Sequence, residues 1–509
     1  MVYMARVPSS LAAASLLAVS ALAVPAGLAA SALAAPVPLA DPIPATPIRK
    51  GQVGLRDFLV NGELWLGPYL FHSSIQGAQP TGKGQQLAIH DHRGVIWMTN
   101  AAGKPPVMFL DIRARPDVAF DNSFNPGESG MHGVAFHPNY AGNPALPGYG
   151  KFYTAVSVRP TRPADFHDDD NLNDSVVIEW TTDPRKPVYT ELAPPRELLR
   201  IGDFGPGHNV GTIIFNPVAR PGDADFGKLY IGYGDGGGGN DPRNYGQDLT
   251  SPWGKVVRID PLDPDGPGPL RYGVPADNPF VGQGGAADIV WAYGFRHPQG
   301  LSFDRLTGDF YIYDFGLANI EEVNLGVAGG NYGWQIREGT FRTSYDVYGE
   351  KGDETVWSLS PEEMAADGLV YPVAQYDHDE GRGITSGQVY RGTLVPKLFG
   401  KLVFTDVVRG RLFYIELADI ALGTQAPVYE FDLIHNGLLT TLQELAGAGP
   451  LMRTDARIGF DHRGELYITT KAYGRVYQLV SLLSVPQPAS LALFGLGLAA
   501  LVAARRQRD

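Results

Sequence analysis

The 509-residue chain contains no cysteine. Disulfide frameworks, zinc–thiolate sites and a cysteine nucleophile are therefore excluded. Basic charge is also short: 41 Lys and Arg stand against 54 Asp and Glu, for a formal net charge of −13. Phosphate backbones need a basic surface, so no nucleic-acid partner is expected. Long helical patterns are missing as well, which leaves α/β barrels and dinucleotide-binding α/β folds poor competitors. Turn formers are abundant, with 63 Gly and 41 Pro. At ordinary hydrophobicity, that composition fits many short strands joined by tight loops.

The two ends read differently from the middle. Arg6 gives a small positive start, Leu11 to Leu28 is an Ala/Leu/Val stretch, and Ala32-Leu33-Ala34 offers the small-x-small pattern of a signal peptidase site. Residues 1–34 are expected to be a signal peptide, with a retained membrane anchor as the alternative. Residues 35–50, which hold the Pro-rich run Pro36 to Pro47, read as an extended spacer. At the far end Val485-Pro486-Gln487-Pro488 precedes an apolar run from Ala489 to Ala504, and Arg505-Arg506-Gln507-Arg508 follows it. A helix over that run is about 24 Å long, short of a hydrocarbon core of about 30 Å. As a transmembrane helix it would need local bilayer thinning or snorkelling arginines, with the basic end cytoplasmic. The segment 485–509 resembles the PEP-CTERM sorting signal of Gram-negative bacteria, with Gln487 in place of the usual Glu. That resemblance implies an exosortase as processing partner and release to the envelope or exterior; a plain single-pass anchor is the alternative. Membrane contact is confined to this segment in either case.

Between the ends one pattern returns: apolar alternation, a turn centred on Asp, Asn or His, Gly, then a second alternation. Its copies begin at Leu87-Ala88-Ile89, Gly133-Val134-Ala135, Gly211-Thr212-Ile213, Gly300-Leu301-Ser302, Gly387-Gln388-Val389 and Ile458-Gly459-Phe460. Each copy predicts two strands of period two around a turn. The spacing leaves room for two more strands per unit, and a four-stranded repeat of this size is a propeller blade. The expected fold is all-β, a six-bladed β-propeller over residues 51–480. Propellers place function on the loops around the central channel, and the largest insertions between copies are 155–210, 235–299 and 313–386.

Candidate chemistry lies in those insertions. In Gly205-Pro206-Gly207-His208-Asn209-Val210-Gly211, a His flanked by Gly enters a repeat strand. An imidazole there can accept a proton near neutral pH, or it caps a turn carbonyl. Arg296-His297 enters the next repeat in the same register, so both residues should reach one channel mouth. A guanidinium there stabilises a developing anion or holds a carboxylate, unless it only stitches loops together. The loop Asp314 to Glu322 suits a hard, oxygen-seeking Ca²⁺ ion, with an ordinary acidic loop as the alternative. Asp168 to Asp174 fails the EF-hand template and reads as a solvated loop. Gly234-Asp235-Gly236-Gly237-Gly238-Gly239 lacks the Lys-Ser/Thr of a phosphate loop and reads as a flexible connection.

Taken in order, these stretches resemble the glucose/sorbosone dehydrogenase family of quinoprotein propellers over roughly residues 55 to 480. The resemblance rests on Glu128-Ser129-Gly130-Met131-His132-Gly133, Leu229-Tyr230-Ile231-Gly232-Tyr233-Gly234-Asp235, Trp291-Ala292-Tyr293-Gly294-Phe295-Arg296, Gly330-Asn331-Tyr332-Gly333-Trp334 and Thr385-Ser386-Gly387-Gln388-Val389-Tyr390. It implies oxidation of an aldose sugar at the anomeric carbon, with pyrroloquinoline quinone (PQQ) as hydride acceptor and Ca²⁺ bound to the quinone. By position it implies His208 as general base and Arg296 beside the quinone carbonyl. Gly316 and Leu317 become the calcium-holding carbonyls, and Glu128, His297 and Glu321 line the cofactor. Several positions depart from the family pattern. Gly207 replaces the acidic partner of the base, His297 replaces an Asn, Phe315 a polar residue, and Val408 the lysine for the PQQ carboxylates. Arg382, Arg409, Arg453 and Arg457 are near enough in sequence to substitute, with Arg382 and Arg409 taken as cofactor contacts.

The first reading is thus an exported PQQ-dependent sugar dehydrogenase. The second is a non-catalytic propeller binding glycan or protein in the envelope or exopolysaccharide matrix. The third is a Ca²⁺-dependent lactonase-like hydrolase, which needs carboxylates and amides converging on a central metal.

Overall fold

The repeated turn of the sequence folds as a closed hairpin. Between the strands Gly300–Phe303 and Phe310–Asp314, the Asp304 carboxylate accepts the Leu306 N–H at 3.0 Å and the Thr307 hydroxyl at 3.0 Å. Gly308, with φ +83°, donates its N–H to the Asp304 carbonyl at 2.8 Å. Asp461 does the same for Arg463 N at 2.8 Å, and Gly464 closes that turn at φ +81°. The carboxylate replaces a backbone acceptor, and the left-handed position costs a residue with a Cβ about 1–2 kcal/mol.

The computed structural model describes residues 38–44, 47–59, 75–103, 105–123, 128–167, 171–205, 207–262, 271–344, 355–446, 453–470 and 474–484. The signal stretch and the sorting tail lie outside them. The described residues are nearly all β. Among them the α-helices are Pro361–Ala366 and Leu442–Ala446, and no helix is long and apolar enough to cross a membrane.

Four sheets are four-stranded antiparallel meanders starting at Ile75–Pro80, Met131–Phe136, Val210–Phe215 and Gly300–Phe303. A larger, nine-stranded sheet starts at Ile384–Val389 and ends at Ala456–Phe460. Its halves are joined by the N-terminal strand Ile48–Leu59, parallel to Tyr429–His435 and antiparallel to Arg475–Val480. A three-stranded sheet, Arg337–Glu338, Phe341–Thr343 and Val356–Trp357, belongs to the insertion between the third and fourth strands of the fourth meander, Ile320–Leu325 and Ala374–Asp377.

The first strands of these units touch one another in a closed circuit: 75–80 meets 131–136, then 210–215, 300–303, 384–389 and 456–460, which returns to 75–80. Apolar layers fill the spaces between successive sheets. One joins Ala88, Ile96 and Met98 to Val134, Phe152 and Trp180; another joins Tyr230 and Val256 to Leu301, Phe303 and Phe310. The circuit closes where Tyr467 and Val476 pack on Leu87, Ile89 and Trp97. Inner and middle strands such as Gln86–Asp91, Val95–Asn100 and Leu229–Tyr233 bury both faces, which explains why their alternation separates two apolar neighbours and not core from solvent.

Three expectations need correction. The copy Leu87–Trp97 fills the second and third strands of its sheet, because the innermost strand is Ile75–Pro80; the other five copies supply first and second strands. The Pro-rich spacer does not stand free: Leu39 and Ile43 pack on Ile320, Phe341 and Val356, and Ile43 N donates to Asp377 at 2.9 Å. Asn173 and Asp174 are buried in the strand Asn173–Thr182, where Asp174 pairs with Arg200; residues 168–170 lie outside the described set.

Candidate active site

All residues singled out from the sequence lie at one end of the inner strands. Glu128, His208, Arg296, His297 and Arg382 precede such strands, while Gly316, Leu317 and Arg409 follow the second strands that run back to the same end.

His208 occupies the left-handed region at φ 59°, a conformation uncommon outside Gly. Its Nδ1 lies 2.6 Å from Asp235 Oδ1. The same carboxylate accepts Gly237 N at 2.9 Å and the indole N–H of Trp334 at 2.8 Å. Gly234 permits this approach, since a Cβ there would come within 2.3 Å of the His208 carbonyl oxygen and 2.6 Å of His297 Nδ1. With Asp235 as acceptor, Nδ1 carries the proton and Nε2 keeps its lone pair. The His208 side chain is 17 % exposed, and its Nε2 makes no hydrogen bond among the described residues. Burial, reinforced by the Arg296 charge, drives the imidazole well below its usual value. The ring is therefore neutral and able to take a proton across neutral and mildly acid pH. Burial also pushes Asp235 up to about 7, against the pull of Arg296 and its hydrogen-bond donors. The departure at Gly207 thus does not leave His208 without a carboxylate partner: Asp235 orients the ring, and the glycine run is pinned through it.

The His297 ring stacks on His208 with centroids 5.0 Å apart and planes 12° off parallel. Its Nε2 lies 3.2 Å from the Gln299 amide nitrogen and 4.0 Å from Glu128 Oε2. Burial, followed by the charges of His208, Arg296 and Arg457, holds His297 well below the usual imidazole value. The Asp314 carboxylate shapes this loop by accepting Arg296 N at 3.0 Å and His297 N at 2.7 Å.

Arg296 is nearly buried and lies 5.7 Å over the Trp334 ring. Its guanidinium donates to carbonyl oxygens only: Gly316 at 2.6 Å, Phe315 at 3.1 Å and Gly239 at 3.4 Å. The Gly316–Ile320 loop faces it because Glu338 holds the other side. One Glu338 oxygen accepts the N–H groups of Leu317, Ala318, Asn319 and Ile320 at 2.8–3.1 Å. Glu321 does not line the opening. It is completely buried and fastens the loop from behind, accepting Gly316 N at 3.2 Å and Ile384 N at 3.0 Å and lying 2.9 Å from His378.

The remaining arginines divide. Arg409 donates to the carbonyls of Asp379 at 2.7 Å and Glu380 at 3.5 Å, and Arg453 pairs with Asp455. Arg382 is exposed, with no ion-pair partner among the described residues. Arg457 is buried and donates to Gln299 at 3.2 Å. Sequence reasoning missed Asp235 and Glu338. A carboxylate after a Tyr-Gly strand end is the only signal Asp235 gives, and Glu338 gives none.

A closed circuit of meanders thus carries a His–Asp pair and a buried arginine at one opening. A family model for glucose/sorbosone dehydrogenase matches residues 81–432, and the chain belongs to that family. A PEP-CTERM protein-sorting motif matches residues 484–507. The chain is 30 % identical over 341 residues to the HIPL1 protein of Arabidopsis thaliana, covering 60 % of this chain and 45 % of that protein. It is 34 % identical over 110 residues to the aldose sugar dehydrogenase YliI of Escherichia coli, covering 22 % and 26 %. It spans about half the length of the HIPL relatives it matches. The PQQ-bound aldose sugar dehydrogenase of Streptomyces coelicolor shares the fold, with TM-score 0.53, 22 % identity, and coverage of 86 % of this chain and 99 % of that one.

Proposed function

We propose that this chain is an exported quinoprotein that oxidises an aldose-type sugar at the anomeric carbon, with hydride transfer to PQQ. The observation that carries the reading is His208 held by Asp235, with Arg296 at the same opening. The PEP-CTERM motif supports export, and the closed circuit of inner strands supports a six-bladed propeller.

The residues present fit the cofactor. Arg296 is a buried cation satisfied by carbonyl oxygens and no carboxylate, a setting that favours an anionic group. Arg382 offers a second cation, with His297 and Glu128 at the same opening. Arg409, committed to two carbonyls, has less to give. The Gly316 and Leu317 carbonyls are hard donors of the kind Ca²⁺ takes. When bound, PQQ supplies the hydride acceptor, and Ca²⁺ beside it withdraws electron density.

The protein's own part is proton transfer and charge placement. His208 Nε2 takes the proton of the anomeric hydroxyl while Nδ1–H stays on Asp235, which stabilises the imidazolium formed. Arg296 places positive charge where the reaction develops negative charge. The test is to add PQQ and Ca²⁺ to purified protein and offer aldoses with an artificial electron acceptor. Turnover with at least one aldose is expected. No turnover with any aldose, and no quinone absorbance after dialysis, refutes the reading.

One observation favours a second reading, a propeller that binds glycan or protein without catalysis: Arg296 already occupies the Gly316 oxygen meant for calcium. Failed PQQ retention together with glycan binding would select it. The lactonase reading finds less support. Among the described residues, the acidic set able to converge on a metal is Asp41, Asp377 and Asp379, which includes none of the site residues.

A further inference from the structure

The inner strands enclose a second space, a cavity of about 370 Å³. Neither His208 nor Arg296 lines it. Its rim includes Pro138, Pro217 and His462, which follow inner strands, whereas the candidate active site is built from residues that precede them. Between rim and end the lining is mainly apolar, with Phe136, Ile214 and Phe303 among it.

At the inner end lies Arg457, second residue of the strand Ala456–Phe460. The residue is 6 % exposed; its guanidinium donates one hydrogen bond, to the neutral amide of Gln299 at 3.2 Å, and leaves Nε without a partner. No carboxylate among the described residues is within ion-pair distance. A buried cation so poorly satisfied is costly unless an anion completes it. His90, also at this end, is held neutral at about 4, mainly by burial, and adds a donor without adding charge.

We propose that this cavity binds a small organic carboxylate with an apolar body, entering from the face opposite the candidate active site and placing its carboxylate on Arg457. An apolar tunnel ending in a buried guanidinium, with the other lining arginine, Arg305, committed to the Asp461 and His462 carbonyls, selects that class over sugars, which need many polar partners, and over bare inorganic anions, which leave the aromatic wall unused. The inference stands independently of the dehydrogenase reading.

Benzoate is the probe, and benzamide its neutral isostere. Calorimetric titration of the full chain should show one saturable benzoate site and at least tenfold weaker benzamide binding. Arg457→Gln should weaken benzoate roughly 30-fold or more, the usual cost of removing one partner from a buried charge pair, and leave benzamide unchanged. Ile214→Trp, which fills the tunnel, should abolish benzoate binding, while His208→Gln should change it by no more than a few-fold. If Arg457→Gln fails to fold, Ile214→Trp and the anomalous peak of bound 4-bromobenzoate decide. No benzoate binding at millimolar concentration overturns the proposal. So does equal binding of benzamide, loss of binding in His208→Gln, or a bromine peak beside Arg296.

Discussion

Replacing Asp235 by Asn changes one atom and should disable His208. In the native pair, Asp235 Oδ1 lies 2.6 Å from His208 Nδ1, and its carboxylate also takes the Trp334 indole and Gly237 N–H groups. An amide has one oxygen to offer, so its NH₂ group must face one of these donors. If it faces His208, the ring relieves the conflict by moving its proton to Nε2, the atom required as base. The step then loses general-base assistance, a fall in kcat of about 10²–10⁴-fold, or about 3–5 kcal/mol in the barrier. PQQ affinity should hardly change, because the base acts on substrate. Steady-state kinetics with PQQ, Ca²⁺ and an aldose measure the rate. Nitrogen-15 spectra of labelled histidine report the tautomer independently, with Nδ1–H expected in the native protein and Nε2–H in Asp235→Asn. A variant that turns over within threefold of the native rate while showing Nε2–H would refute the assignment of His208 as base.

Three further outcomes are expected. Arg296→Ala should damage both turnover and the absorbance of the reduced quinone, and a normal spectrum would remove Arg296 from the reacting carbonyl. Glu338→Ala leaves four loop N–H groups without their acceptor; at about 1–3 kcal/mol for each buried donor that stays unpaired, hydrogen exchange at Leu317–Ile320 should rise at least a hundredfold, and unchanged protection would refute its anchoring role. His137, which accepts Asn139 N through Nδ1 at 3.0 Å, is lowered to about 4 by burial. The unfolded chain takes this proton first as pH falls through 6.5, so the stabilisation is whole above 6.5 and is lost progressively toward 4. By pH 5 the loss is about 2 kcal/mol. His137→Gln should therefore shrink the difference in urea-unfolding free energy between pH 7.5 and pH 5 by that amount, and an unchanged difference would mean that His137 is charged in the fold.

How much of this was legible depended on range along the chain. The Asp-turn-Gly hairpins were readable because carboxylate, turn and glycine are neighbours in sequence, as at Asp304–Gly308. The position of each hairpin in its sheet was less readable, since inner and middle strands share the same alternation when both faces are buried; Leu87–Trp97 was misplaced for that reason. His208 and Arg296 could be paired because each precedes an inner strand in the same register. Asp235 and Glu338 could not, because their roles depend on contacts 27 and 18–21 residues away through folded loops. Glu321 shows the converse error. Beside the candidate metal loop it is expected to line the cofactor, yet its strand turns it into the interior, where backbone N–H groups claim it.

The two ends of the inner strands answer to different physical demands, and this separates the candidate active site from the cavity. Where the strands begin, long insertions bring buried acids against backbone N–H groups: Asp314 under Arg296 and His297, Glu321 under Gly316, Glu338 under Leu317 to Ile320. Each carboxylate fixes a loop that would otherwise wander, so the groups able to handle protons and charge are held by the chain's own acids. Where the strands end, the connections range from Asp turns such as 304–309 to longer loops such as 137–150, and Phe and Ile side chains line the channel. Gln299 links the two regions, reaching His297 on one side and Arg457 on the other. An anion on Arg457 would draw that guanidinium from Gln299, freeing the amide oxygen and loosening its hold on the ring stacked against His208. Occupancy of the cavity should therefore be visible at His208. If benzoate binds and the nitrogen-15 shifts of His208 and His297 do not move, the two ends work independently and Gln299 is only a spacer.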